Sequence, residues 1–349
     1  MQCPYCDFSI TTEPVKQNDQ KLAHAIVQDL EDSAALIDGR EFSSVYFGGG
    51  TPSLASAEAI AIILDAVKQN PLSKEMEITF EMNPRDVSAN KLSDLSALGI
   101  NRYSLGVQSY NDPELKGLGR NHDKASGIEA TNLLKGMNST IDLIYGTEYQ
   151  TATSFQETLE QFIDSQINHL SLYQLTIEPN TIFYKKELKL PNEDQIEGME
   201  RLARQMLESN GYQQYEVSSW SRPGFESRHN LNYWQFGDFL GLGPGAHSKI
   251  TVGPEITRFR KIKPLNGYIA KQTIADHTII QGEELDMDLA MNLLRIKDGI
   301  LPDHLGVELP KSFLKKYQLG VKEGLLLEDK IGATARGYQY LNETIKLFF

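Results

Sequence analysis

The sequence predicts an α/β protein made of parallel βα units over its first two-thirds, followed by a smaller α-rich appendage. Three observations carry this expectation. Short β-branched or aromatic runs alternate with longer segments of helical period from residue 18 onward. Successive strand centres fall roughly 30 residues apart, the length of a βα unit. Several strands read as apolar on both faces, as parallel strands between two layers of helices are.

The strands are expected at 44–47 (SVYF), 77–82 (EITFEM), 102–108 (RYSLGVQ), 140–146 (TIDLIYG) and 169–175 (HLSLYQL). Between them, Asn18 or Asp19 is the expected N-cap of a helix over 20–37, Ser56 of one over 57–69, and Asp123 of one over 124–135. Ser88 caps 89–98, with Gly99 closing it. Ser154 and Glu157 form the expected capping box of a helix reaching about residue 165. Five such units suit a (β/α) barrel or a doubly wound sheet. In both, chemistry sits at the C-terminal ends of the strands.

Past residue 190 the rhythm changes. A charged helix (EDQIEGMERLARQMLESNGY) leads to a strand-like QYEVSSW and then to a glycine- and aromatic-rich stretch, HNLNYWQFGDFLGLGPGAHS. The remainder reads as helices, a turn-rich GLLLEDKIGATARG and a final helix, a pattern of winged-helix type.

Composition narrows the classes of function. The chain has 349 residues, 40% hydrophobic and 23% charged, enough for a sizeable core. No apolar run is long enough to span a membrane, and no basic segment precedes an apolar one as in a secretion signal. Two cysteines cannot build a disulfide framework, which points to a reducing, cytoplasmic setting. A net charge of −13 argues against a non-specific nucleic-acid binder.

The cysteines, Cys3 and Cys6, stand in a C-x-x-C spacing. That spacing suits zinc, a redox pair, or part of an iron–sulfur site. Zinc lacks a second ligand pair in this sequence, and a thioredoxin-type pair lacks a strand before it. The segment VYFGGGTPS (45–53) ends a strand in three glycines, where backbone amides can approach a ligand; it lacks the lysine of a P-loop. GLGPGA (241–246) matches GxGxxA in letters only, because Pro244 interrupts it and no helical pattern follows. Glu81, Gln108 and Asp142 lie at or near strand ends, and Arg120 follows in GLGRNH; on neighbouring parallel strands they would converge on one mouth. His229 stands among aromatic and amide groups in RHNLNYW, with Tyr233 and Trp234 beside it.

Together, CPYCDF, VYFGGGTPS, EMNP, LGVQSY, LGRNH and DLIYG resemble the radical S-adenosylmethionine (SAM) superfamily. More narrowly, with RHNLNYW matching an HNxxYW segment and with LGLGPGAHS, the chain is similar to the HemW haem chaperones, the oxygen-independent coproporphyrinogen III oxidase-like family. The resemblance runs from residue 1 to the C-terminal NETIKLFF.

The resemblance implies a partial (β/α)6 barrel of radical-SAM type over 1–215, its first β unit missing, a haem-associated segment over 216–283 and a C-terminal helical domain over 284–349. It implies a C-x3-C-x2-C loop holding a 4Fe–4S cluster whose open iron is chelated by SAM, from which a 5′-deoxyadenosyl radical can form. Cys3 and Cys6 match the second and third of those cysteines; the first has no counterpart in the sequence, so an impaired cluster is expected. Tyr5, Gly49, Gly50, Thr51, Glu81, Gln108, Arg120 and Asp142 are the implied SAM contacts. His229, Asn230, Tyr233 and Trp234 are the implied haem region, with His247 a competing axial ligand.

The implied function is to bind haem and deliver it to an unidentified acceptor protein. The alternative is an oxygen-independent coproporphyrinogen III dehydrogenase; Phe8 stands where that enzyme carries a fourth cysteine, which favours the chaperone. A degenerate, non-catalytic scaffold is the second alternative. No nucleic-acid partner and no transmembrane segment are expected.

Overall fold

The computed structural model describes residues 3–6, 15–270 and 274–349, so Phe8 lies outside the described residues. The chain divides into two compact units. The first comprises Met1–Ala23, Phe42–Gln214 and Ser218–Glu226; the second comprises His24–Glu41, Tyr215–Val217 and Ser227–Phe349.

The first unit is an open half-barrel. Its strands are β1 (Phe42–Phe47), β2 (Leu72–Met82), β3 (Arg102–Gln108), β4 (Ser139–Tyr145), β5 (His169–Gln174), β6 (Gln213–Glu216) and β7 (Ser219–Ser221). They lie in the order β1-β2-β3-β4-β5-β7-β6. The pairs from β1 to β5 are parallel and β5 to β7 is antiparallel. The five expected strands are therefore present in sequence order, as crossover helices require.

Two-residue periodicity gives the sheet unlike faces. Phe80, Met82, Leu105, Val107, Ile141, Leu143, Leu170 and Leu172 pack against the helices, joining Leu64, Leu95, Leu159 and Phe162 in one core. The opposite face is polar, a correction to the expectation of strands apolar on both sides. Register puts Glu81 beside Ser104, and Ser104 beside Thr140. Thr140 lies beside His169, and Asp142 beside Ser171. These groups satisfy one another: Thr140 Oγ1 is 2.6 Å from His169 Nδ1, and buried Arg102 reaches Glu77 at 3.5 Å.

Helix boundaries follow local chemistry. Ser56, Ser88 and Asp123 accept the expected backbone N–H bonds from Ala59, Lys91 and Ser126, and Gly99 ends the 89–98 helix in the left-handed region. Two expectations are corrected. The first helix runs Val15–Asp32 and breaks at Ser33 before Ala34–Ile37, so neither Asn18 nor Asp19 caps it. Asp19 instead accepts from the Ser56 N–H at 3.1 Å, at the start of a neighbouring helix. The capping box is Thr151/Ser154, not Ser154/Glu157, and the helix it opens is Ala152–Ser165. Ser154 Oγ also donates to the buried Glu114 carboxylate at 2.6 Å.

Caps give a direct test of this local reading. Ser88→Ala removes the acceptor of the Lys91 N–H and is expected to cost about 1 kcal/mol. Thermal unfolding should show a Tm lower by about 2–4 °C.

The second unit holds a three-stranded antiparallel sheet that the sequence reading passed over. Its strands β8 (His247–Val252), β9 (Glu255–Lys261) and β10 (Ile274–Ile280) lie in the order β10-β9-β8. The Gly253–Pro254 turn between β8 and β9 is the hairpin signal that the glycine-rich stretch before it obscured. GLGPGA leads into β8 and not into a helix, which removes any dinucleotide-binding geometry. Buried Asp29 accepts from Lys261 Nζ and from the Tyr268 hydroxyl, each at 2.6 Å. Helices Gly282–Leu293 and Lys311–Lys322 pack through Leu289, Leu293, Phe313 and Tyr317 onto Phe348. Bridges Ile300–Ile331 and Leu326–Ala333 add the small hairpin of a winged-helix arrangement. Among the described residues no helix is long and apolar enough to cross a membrane.

Candidate functional site

At the C-terminal ends of β1 to β4 the first unit assembles a polar cluster. Glu81, on β2, accepts from the Tyr46 hydroxyl at 2.7 Å and from the Gly49 N–H. The glycine run allows this approach. A Cβ on Gly48 would lie 2.6 Å from the Tyr46 ring and 3.0 Å from Glu81 Oε1, and Gly49 adopts φ +99°. Asp142, on β4, accepts from the Ser104 hydroxyl at 2.6 Å and from Ser171.

Both carboxyls are half-buried. Burial pushes Glu81 up to about 7, with the nearby Asp142 adding to the shift. Burial raises Asp142 to about 6, against the pull of Ser104, Ser171, Arg102 and Arg120. Two such groups, on the strands either side of β3, suit a ligand that brings positive charge.

Arg120 ties this mouth to the cysteine segment. Its Nη2 donates to Asn83 Oδ1 at 2.9 Å and to the Gly106 carbonyl at 2.8 Å, and its Nη1 lies 3.4 Å from both Cys3 Sγ and the Tyr5 hydroxyl. Its Nε is buried with no acceptor among the described residues. Tyr5 packs on Phe183, and the Pro4 carbonyl accepts from the Phe183 N–H at 2.9 Å. Gly119, at φ +66°, makes room for the loop, since a Cβ there would lie 2.7 Å from Pro4 Cδ.

Cys3 and Cys6 flank a turn closed by the Cys6 N–H on the Cys3 carbonyl at 3.1 Å, and no disulfide joins them. Among the described residues no three His, Cys, Asp or Glu side chains gather into a metal site. Among the described residues the segment offers two cysteine sulfurs as donors. Gln108 ends β3 in the left-handed region at φ 70°, its amide beside Gly106 and Arg120. Such strain is stored where surrounding structure over-determines a residue. The Thr51 hydroxyl donates to the Gly50 carbonyl at 2.8 Å.

Sequence reading missed Tyr46, Ser104 and Ser171. Strand alternation could have found them, because each lies in phase with Glu81 or Asp142 on the polar face.

In the second unit the helix Arg228–Trp234 carries His229, Asn230, Tyr233 and Trp234. Its N-cap Ser227 accepts from the Asn230 backbone N–H at 3.2 Å. His229 stands edge-on to Tyr233 with centroids 4.9 Å apart, and Tyr233 meets Phe239 at 4.4 Å. Burial lowers the His229 pKa to about 4, so the imidazole is neutral near pH 7. The Trp234 Nε1–H is buried with no acceptor among the described residues. His247 is exposed at the start of β8, outside this aromatic group.

Residues 1–162 match the Radical SAM superfamily. The chain is 37% identical to the heme chaperone HemW of Haemophilus influenzae, with 99% of this chain and 94% of that protein covered. It is 34% identical to HemW of Escherichia coli, with the same coverage, 99% and 94%. The solved structure of coproporphyrinogen III oxidase (HemN) of Escherichia coli, a radical SAM enzyme, matches with a TM-score of 0.79 at 22% identity, over 100% of this chain and 87% of that one. At that identity the likeness is one of fold. With relatives this similar over almost its whole length, the chain belongs to the HemW heme chaperone family of the radical SAM superfamily.

Proposed function

We propose that this protein binds haem at the Arg228–Trp234 helix and delivers it to an acceptor protein in the cytoplasm, with SAM held at the mouth of the half-barrel. The observation that carries the haem assignment is the pairing of a neutral His229 imidazole with the Tyr233 and Phe239 rings on one partly buried surface. A neutral imidazole nitrogen is a ligand for haem iron, and flat aromatic groups suit a porphyrin. The unmet Trp234 N–H is a donor that a porphyrin carboxylate would satisfy.

In this reading the first unit's residues hold SAM. Glu81 and Asp142 take its cationic groups, Arg120 its carboxylate, and Gly49 and Gly50 approach it with backbone. Tyr5 closes the loop side, while Gln108 and Thr51 line the rim. Cys3 and Cys6 are the thiolates offered to an iron–sulfur cluster, which when bound supplies one-electron chemistry to SAM. Coproporphyrinogen oxidation remains the second reading, because the fold is shared with HemN; the HNxxYW helix favours the chaperone.

Anaerobic titration of the purified protein with haem tests the proposal. A saturable Soret shift ending near one equivalent is expected. A spectrum identical to free haem overturns the haem assignment, and release of CO2 from coproporphyrinogen would replace it with the enzyme.

A further inference from the structure

The Arg228–Trp234 helix is anchored at both ends by one short segment, Tyr215–Glu216, that lies outside the HNxxYW motif. At the start of the helix, the Ser227 N–H donates to the Tyr215 hydroxyl at 3.3 Å. At its end, the Arg295 guanidinium lies 4.2 Å from the centre of the Trp234 ring. Arg295 Nη2 donates to Glu216 Oε2 at 3.0 Å, and the Glu216 side chain is only 2% exposed.

Backbone bonds close the frame. Glu216 bridges Ile296 in antiparallel fashion, and the Lys297 N–H donates to the Tyr215 carbonyl at 3.0 Å. The Tyr338 hydroxyl donates to the Arg295 carbonyl at 3.3 Å. Arg295 is thus held by its own backbone, by a buried carboxylate at its edge and by an indole on its face.

A planar guanidinium constrained on edge and face sets the plane of the ring it covers. The pair also carries no net charge, because Glu216 neutralises Arg295. Attraction of porphyrin carboxylates therefore does not account for it; orientation does.

We propose that Arg295, oriented by Glu216, is a positioning residue for haem. It holds the Trp234 indole and the end of the helix, and so sets how His229 and Tyr233 meet the porphyrin. This rests on the haem reading of that helix and deepens it.

The test compares haem titrations of wild type, Arg295→Met, Arg295→Lys and Glu216→Gln. Positioning predicts a Kd weakened about tenfold or more in all three, as for groups that orient a ligand-bearing side chain. It also predicts a Soret maximum displaced from the wild-type position while far-UV circular dichroism is unchanged. Arg295→Lys keeps the charge but not the plane, so its failure to rescue binding separates orientation from charge.

The chain has two tryptophans, so a Trp220→Phe background leaves Trp234 as the sole reporter. Its emission should change in haem-free Arg295→Met. Wild-type Kd and Soret position in Arg295→Lys and Glu216→Gln overturn the proposal, even where Arg295→Met does not fold. A wild-type protein that shows no Soret shift fails the haem reading itself, and the proposal falls with it. The two failures are told apart by the wild-type titration.

Discussion

At pH 8, Glu81→Gln binds SAM roughly 30-fold to 4,000-fold more weakly than wild type, the range for removing one partner of a buried charge pair, yet it unfolds at a higher temperature. Both halves follow from one environment. Burial and the neighbouring Asp142 raise Glu81 from 4.5 to about 7. A carboxyl whose folded pKa exceeds its unfolded one favours the fold fully below about pH 4.5 and loses that contribution as pH rises through 7. The shift corresponds to about 3 kcal/mol in the ligand-free protein.

Glutamine removes that charge and keeps an acceptor for the Tyr46 hydroxyl and the Gly49 N–H. Isothermal titration with SAM, beside thermal unfolding at pH 5 and pH 8, reads both effects. In wild type, SAM affinity should fall as pH drops through 7 and 6, where Glu81 and then Asp142 take up protons. Equal SAM affinity in the variant would remove Glu81 from the site. A Tm lower than wild type at pH 8 would refute the account of its burial.

His229→Ala is expected to abolish the haem Soret shift at stoichiometric haem, a loss of roughly 2–4 kcal/mol of binding if His229 is an anchor of the site. Tyr233→Phe keeps the ring that packs on His229 and Phe239 and should bind nearly as wild type. His247→Ala should leave the spectrum unchanged, since that side chain is exposed on β8. Loss of the Soret shift in His247→Ala with retention in His229→Ala would reverse the assignment of the iron ligand. SAM titration serves as the control for folding of the first unit.

Local chemistry was readable in the sequence where it depends on neighbours along the chain. Ser56, Ser88 and Asp123 cap their helices as expected, because an N-cap acts on the backbone two or three residues later. The expected capping box failed because Ser154 takes the N3 place, with Thr151 as N-cap, and is bonded to Glu114 across 40 residues. Asp19 misled in the same way: its partner is Ser56, 37 residues away. Glu81, Asp142 and Arg120 were found from strand ends and motifs, but Tyr46, Ser104 and Ser171 carry no motif of their own.

By itself, then, the sequence determined the succession of βα units, their caps, the family and the residues that carry its motifs, since each depends on spacing along the chain. Only the tertiary structure decided which face of the sheet is polar, because two-residue alternation names two faces without saying which one is covered by helices. It decided that Arg120 spans from Gly106 to Cys3, and that Glu81 and Asp142 share one half-buried environment in which each feels the other's neighbourhood. It also decided that Glu216 and Arg295, 79 residues apart, frame the Arg228–Trp234 helix. Such contacts join residues distant in sequence, and the loss of water that gives them their strength exists only once the chain has packed.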